Sequence, residues 1–427
     1  MKIRINQGRV MNPGNGLDEV QDVFVAAGKI VSIGQEPSGF TPNKVIDAHE
    51  KWVLPGLVDL AARLREPGYE YLATLESEMF AATAGGVTSL SCPPDTDPPL
   101  DEPGLVEMLK HRAANRHQAN VYPLGALTQQ LKGQRLTEMG ELRDAGCVAF
   151  SQANAPLTDT LVLMRALDYA ATFDFTVWLQ PQDPHLSKDG VAHDGEVATR
   201  LGLPAIPACA ETIAISTIME LMRQTGARVH LCRLSSAAGL ALVRAGKAEG
   251  LPLTCDVSIN HLHLSEHDLG YFNAHCRLTP PLRSPADRNA LRAGLSDGTI
   301  DALVSDHAPV DMDAKQLPFE AAEPGATGLE LLLPLTIKWA HEDRVPLKTA
   351  LTRITQAPAR ILGIAAGQLA IGGVADLCIF DPREEWVVTP HSLKSQGKNT
   401  PFLNLPLPGR VTHTLVGGFL VYESSPH

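Results

Sequence analysis

Between residues 56 and 364, short apolar runs alternate with stretches of helical period, and this alternation restricts the chain more than any other feature. The runs are Leu57–Leu60, Val87–Ser91, Val121–Ala126, Cys147–Phe150, Thr176–Leu179, Val229–Cys232, Leu253–Val257 and Ile300–Val304. Each has the length and apolar continuity of a buried strand. Helical patterns lie between them, at Leu75–Ala84, Leu105–Ala114, Thr160–Ala171, Ile213–Arg223 and Leu240–Ala245. Strands separated by helices pair in parallel, because a parallel neighbour is reached only through a long crossover. Eight such units predict a closed (β/α)₈ barrel. An open doubly wound sheet is the alternative, but no Gly-x-Gly-x-x-Gly turn follows the first strand to support it.

The two ends read differently. Residues 1–55 carry alternating segments at Lys2–Ile5, Val23–Ala27 and Lys29–Ile33, broken by Asn-Pro-Gly and Gly turns. Residues 365–427 behave alike, with strand signals at Ala375–Phe380, Trp386–Val388 and Thr412–Tyr422. One small β-sandwich domain assembled from both ends is expected, with the barrel over 56–364 between them.

The apolar share of 44% supplies a large core, and the net charge of −12 argues against nucleic acid or an anionic membrane as the main partner. The amino terminus alternates polar and apolar residues without a signal-peptide core, and no run of about 20 apolar residues exists to span a bilayer. A cytoplasmic location is expected. The seven cysteines are odd in number and show no close pairing, as buried reduced thiols do.

Function in such a barrel gathers where the strands end at the C-terminal face. The first strand runs from Pro55 to Leu60 and continues as Ala61-Ala62-Arg63-Leu64-Arg65-Glu66-Pro67-Gly68. Further segments follow in order: Thr83 to Ser89, Gly298 to Ala302, Asp306-His307-Ala308-Pro309, Pro318-Phe319-Glu320, Gly328 to Glu330, Pro358 to Gly363, Ala375 to Leu377 and Lys398 to Phe402. This ordered set resembles the dihydroorotase family of amidohydrolases over nearly the whole chain. The resemblance implies the amidohydrolase type of barrel. In that family a His-x-His pair stands between Asp-Leu and Leu-Arg-Glu-Pro-Gly, and a binuclear zinc centre opens a cyclic amide in pyrimidine biosynthesis.

Carried over position by position, the family's metal ligands are largely missing. Ala61 and Arg63 take the places of the His-x-His pair. After the fourth strand the family's Asp-Asp-Gly reads Gln152-Ala153-Asn154. Gln180 replaces the fifth strand's histidine and Arg233 one of the sixth, whereas Asp306, the family's metal ligand and general base, remains. On the substrate side Arg65 is kept, while Asp95 and Thr279 replace asparagines and Val310 a histidine. An alanine has no lone pair and a guanidinium has donors only. A divalent ion about 4 Å from a guanidinium is repelled by about 8 kcal/mol at an effective dielectric of about 20. The resemblance thus implies no metal, no cofactor and no catalytic residue. Arg63 or Arg233, or both, are expected to fill the metal volume and pair with Asp306. Arg65 is expected to persist as a remnant or a local salt-bridge partner. Asp95 is expected to repel an anionic ligand.

Other residues draw plainer expectations. His261 and His263 are read as structural or surface residues, His307 as a packing or hydrogen-bonding one, and Glu76 and Glu78 as a solvated first turn. Phe319 resembles part of a family loop that abuts the pocket. Dihydroorotase-like chains without ligands are known as noncatalytic subunits of bacterial aspartate carbamoyltransferase. The resemblance therefore implies a hetero-oligomer with that enzyme's catalytic chain, held by dimers of this one. Two alternatives stay open: a metal-independent or single-metal amidohydrolase using Asp306, and a sensor of a pyrimidine intermediate in the remnant pocket.

Overall fold

The computed structural model describes residues 1–424. Eight strands, Leu57–Asp59, Val87–Cys92, Asn120–Ala126, Ala149–Ser151, Thr176–Leu179, Arg228–Leu231, Leu253–Ser258 and Ala302–Val304, lie side by side in chain order, every pair parallel. Every expected strand is present. The eighth meets the first at the C-terminal ends: Ala62 bridges His307, whose N–H donates to Ala61 O at 2.9 Å and whose carbonyl accepts Arg63 N–H at 2.8 Å. Lower down, Arg353 and Ile354 stand between the two strands and take a hydrogen bond from Leu303 on one side and Val58 on the other. The ring is therefore closed at the functional face and wedged open below it.

The helices start and stop where local chemistry dictates. Thr74 and Ser77 form a capping box for Leu75–Ala84, and Ser284 with Asp287 does the same for Pro285–Asp297, which opens on proline. Helices Cys209–Thr225 and Ala237–Glu249 each end on a left-handed glycine, Gly226 and Gly250. The five expected helices all form.

The ends of the chain build one eight-stranded sheet. Lys2–Asn12, Leu17–Ala26, Lys29–Ile33, Lys44–Asp47 and Trp52–Pro55 come from the first 55 residues, and Leu377–Val387, Pro406–Val416 and Phe419–Glu423 from the last. Trp52–Pro55 pairs antiparallel with Leu377–Phe380 and joins the two halves. Ile3, Ile5, Val23, Val25, Ile46, Val53, Leu377 and Ile379 fill its core. Two expected segments, Ala375–Phe380 and Trp386–Val388, belong to one strand with a register shift, and Thr412–Tyr422 is two strands folded at Gly417 and Gly418. Both glycines have positive φ, which a two-residue hairpin of this twist requires.

No helix among the described residues is long and apolar enough to cross a membrane. All seven cysteines are free, and Cys209 departs from the expected burial because it sits on the exposed first turn of its helix.

Candidate functional site: the barrel mouth

The strand ends surround a cavity of about 180 Å³ lined by Arg63, Arg65, Asp95, Asn154, Arg233, Thr279, Asp306 and the loop Glu323–Gly325. Arginines occupy its centre. Arg233 is 5% exposed and spends its guanidinium on four oxygens. Nη1 donates to Asp306 Oδ1 at 3.2 Å and to the Thr279 carbonyl at 3.3 Å; Nη2 donates to Asn154 Oδ1 at 2.5 Å and to Gln180 Oε1. Arg63 Nε donates to Asp95 Oδ2 at 2.8 Å, with the arginine side chain buried. The expected pairing with Asp306 thus falls to Arg233, while Arg63 takes Asp95 and acts on Asp306 through its field.

The charges set one another. Burial pushes the Asp306 carboxyl up, and the nearby Arg233 and Arg63 offset this only in part. Burial works against Asp95 as well, but Arg63 together with Arg65 and Arg233 outweighs it and holds that carboxyl below the ordinary range. Asp95 has its own partner at the place where repulsion of a ligand was expected. Arg65 forms no ion pair among the described residues, contrary to the salt-bridge expectation. Its Nε donates to the Pro309 carbonyl at 2.9 Å, and burial together with Arg63 draws its pKa down.

Four of these strand ends hold a backbone twist that the sequence does not announce. Arg65 (φ 62°), Ala153 (φ 51°), Arg233 (φ 57°) and Asp306 (φ 50°) are all left-handed without being glycine. Such conformations cost about 1–3 kcal/mol each and persist at sites that the surrounding structure over-determines. Only coordinates reveal them, since no glycine marks the positions.

The residues do not fit a divalent metal pair. Ala61 offers only its carbonyl, already taken by the His307 amide. Gln180 Oε1 faces a guanidinium, and Asp306 is the remaining carboxylate at the family's ligand positions. Beneath Arg233, His230, Cys232 and Asp256 bring three potential ligand atoms within 4.8 Å of one another. These atoms are engaged otherwise. His230 Nε2 contacts Asp256 Oδ2 at 2.9 Å, its Nδ1 contacts Thr254 Oγ1 at 2.8 Å, and Asp256 Oδ1 accepts the Arg233 amide at 2.7 Å. Burial pushes the Cys232 thiol up, so it keeps its proton. The cluster is a platform that holds Arg233 in place.

The remaining expected residues separate. Val310 lies outside the cavity lining; it is buried and donates its amide to Asn399 Oδ1 at 3.0 Å. His261 Nε2 and His263 Nε2 contact the carbonyls of Pro281 and Leu335 at 3.1 and 3.0 Å. Burial pulls both imidazoles down to about 4, so they are neutral structural residues. Phe319 is buried in the barrel core, and Glu323–Gly325 of the same loop reach the cavity instead. Glu76 is exposed and paired with Arg116, as a solvated first turn should be. Glu78 is not solvated. It is fully buried against His307, because its helix presents that face to the loop between the terminal-sheet strands Leu377–Val387 and Pro406–Val416.

Comparison with known proteins agrees with this architecture. Residues 50–238 match the dihydro-orotase-like family and residues 163–422 the amidohydrolase family. A dihydroorotase-like protein of Pseudomonas aeruginosa is 46% identical over 99% of this chain and 100% of its own length. A dihydroorotase of Anaeromyxobacter sp. is 39% identical over 98% of this chain and 97% of its own. Among solved structures, the L-hydantoinase of Arthrobacter aurescens superposes with a TM-score of 0.88, covering 99% of this chain and 96% of that one at 23% identity, which shows the shared fold. The chain belongs to the dihydroorotase-like family of amidohydrolases.

Proposed function

We propose that this chain is a catalytically inactive dihydroorotase homologue that works through its surface, as an assembly subunit of aspartate carbamoyltransferase in pyrimidine biosynthesis. The observation that carries the inactivity is the Arg233 guanidinium, wedged between Asp306, Asn154 and Gln180 where the family holds metal. Without a metal, the attacking water keeps a pKa near 15.7 rather than about 7, and no hydroxide forms at neutral pH. Asp306, tied to Arg233, is not placed to act as a free base. In support, relatives at 46% and 43% identity carry the name dihydroorotase-like protein, whereas those at 39% and 38% are named dihydroorotase. An inert subunit still stabilises a partner when it binds only the folded, assembled form. The assembly role rests on the family resemblance, and dimers of this chain linking catalytic trimers are its simplest form.

Two measurements test the two halves separately. Chain purified from zinc-supplemented medium is expected to carry far less than one zinc per chain and to leave dihydroorotate unconverted. Stoichiometric zinc with turnover overturns the inactivity. Co-expression with the catalytic chain of the same organism's aspartate carbamoyltransferase is expected to give one large species on size exclusion, with transferase activity dependent on it. A transferase fully assembled and active alone overturns the assembly role.

A further inference from the structure

We propose that the free edge of the terminal sheet docks an extended acidic segment of a partner protein, which adds to it as one more strand. Strand Phe419–Glu423 stands last in that sheet and pairs on one side only, with Pro406–Val416. No backbone group of Phe419–Glu423 hydrogen-bonds to any other element among the described residues. An unpaired edge is a template for a further strand, and proline or lysine commonly blunts it. Phe419-Leu420-Val421-Tyr422-Glu423 contains neither. A bulge at Val421 twists the edge, so a short strand fits it and a long flat one does not. The inference does not depend on the assembly role.

The edge opens onto a groove of about 880 Å³, at the end of the barrel opposite the mouth, with which it shares no lining residue. Phe419, Leu420 and Val421 form one wall. Ala113 and Ala114, ending helix Pro103–Ala114, and Val121 and Tyr122, opening the third barrel strand, form the other. The small alanines leave room for a backbone to lie beside the edge at the usual strand spacing of about 4.8 Å. Phe419 is 63% exposed there and offers apolar surface to the incoming side chains.

Charge selects the partner. Lys110, Arg116 and His117 line the groove and no aspartate or glutamate does, in a chain of net charge −12. Lys110 forms no ion pair among the described residues; its Nζ donates to the Ala145 carbonyl at 3.4 Å. Arg116 has only the exposed Glu76, and exposed pairs of this kind are weak. Glu423, the carboxylate of the edge strand, is taken by Lys44 at 2.7 Å. The negative end of helix Pro103–Ala114 offsets about half a charge. Within a Debye length of about 8 Å the groove is therefore cationic, although the whole chain is acidic. A second copy is the poorer occupant, because joining two such edges brings both basic rims together. A segment alternating acidic and apolar residues turns the first towards the rim and the second towards Phe419 and Val421, as strand addition to an edge requires.

Fluorescence anisotropy on the full chain tests this, with a labelled peptide of about seven residues alternating glutamate and valine, beside the same peptide with lysine for glutamate. The glutamate peptide is expected to bind one to a chain, at least about tenfold tighter than the lysine peptide, and to weaken as salt rises. Lys110→Glu, at an exposed helix position, is expected to weaken the glutamate peptide about tenfold and to strengthen the lysine peptide, with an unchanged melting temperature. A fully N-methylated glutamate peptide, unable to donate to the edge, is expected to lose at least about tenfold. Hydrogen exchange is expected to slow at the amides of 419–423 when the glutamate peptide is bound. Absence of binding by that peptide at millimolar concentration overturns the proposal. So does binding without protection at 419–423, or equal binding of the two charge types. Protection of 419–423 that grows with chain concentration in the absence of peptide overturns it in favour of a second copy.

Discussion

Arg233→Met is expected to destabilise the protein by about 3–5 kcal/mol, the cost of leaving a buried partner charge uncompensated. The variant keeps the length of the side chain, so packing changes little, but Asp306, 6% exposed, loses its hydrogen-bonded cation. Asn154 and Gln180 lose the donor that orients them at the same time. The pH dependence has a fixed sign. Burial already raises the Asp306 carboxyl above its ordinary value of 3.8, so the folded state binds this proton more tightly than the unfolded one. Stability from this group is greatest below that ordinary value and falls as pH rises to the folded one. Removing Arg233 moves the folded value further up, so the deficit measured by urea unfolding is larger at pH 8 than at pH 5. Adding Asp306→Asn removes the charge in a residue that tolerates a positive φ, and the double variant is expected to recover most of the loss. A loss under about 1 kcal/mol in the single variant, or no recovery in the double, sinks the claim that this pair occupies the mouth.

Much of this arrangement was legible before any coordinates, and the reason is physical. A buried parallel strand must be apolar on both faces, so the eight runs stood out, and strand ends map the mouth directly once the barrel is accepted. Ala61, Arg63, Gln180 and Arg233 could therefore be placed around one volume from their positions alone. Which arginine took which acid was not legible, because Asp95 and Asp306 lie on different strand ends and both are within reach of long side chains. Asp95 looked like a source of repulsion in isolation, and is a partner only in the presence of Arg63. Glu78 escapes the sequence for a related reason: a carboxylate in a helix's first turn is usually solvated, and its buried partners come from residues 307 and 395, far away in sequence. The orientation of the Gln180 amide was not legible either, since it follows from the Arg233 donor that only the fold supplies. In the terminal sheet, the long strand Leu377–Val387 could not be joined across its irregular middle from alternation alone.

Glu78→Ala is expected to cost about 3–5 kcal/mol as well, by a different route. The Glu78 carboxylate accepts four hydrogen bonds: from His307 Nε2 at 2.6 Å, Ser395 Oγ at 2.6 Å, Ser77 Oγ at 2.7 Å and the Gln396 amide at 2.9 Å. His307 Nδ1 accepts the Gly328 amide at 3.1 Å, so the imidazole proton sits on Nε2 and points at the carboxylate. One side chain thereby joins the first barrel helix, the residue after Asp306 and the loop between two strands of the terminal sheet. Alanine leaves the buried His307 and Ser395 donors and the Gln396 amide without their acceptor, while Ser77 keeps the Thr74 carbonyl. Burial opposes the charge on Glu78, but the donors, His307 first, outweigh it and hold the carboxyl below its ordinary value of 4.5. That stability is present above the ordinary value and is lost as pH falls through the folded one. The deficit of the variant is therefore largest near neutrality and narrows in acid only below the ordinary carboxyl value of 4.5, whereas that of Arg233→Met already narrows between pH 8 and pH 5. Hydrogen exchange is expected to show lost protection at residues 393–400 and at the amides of 307 and 328, with the distant helix Ala237–Glu249 unaffected until global unfolding. Uniform loss of protection across the barrel, or a deficit that grows on acidification, defeats this account of Glu78 as the local tie between the mouth and the terminal sheet.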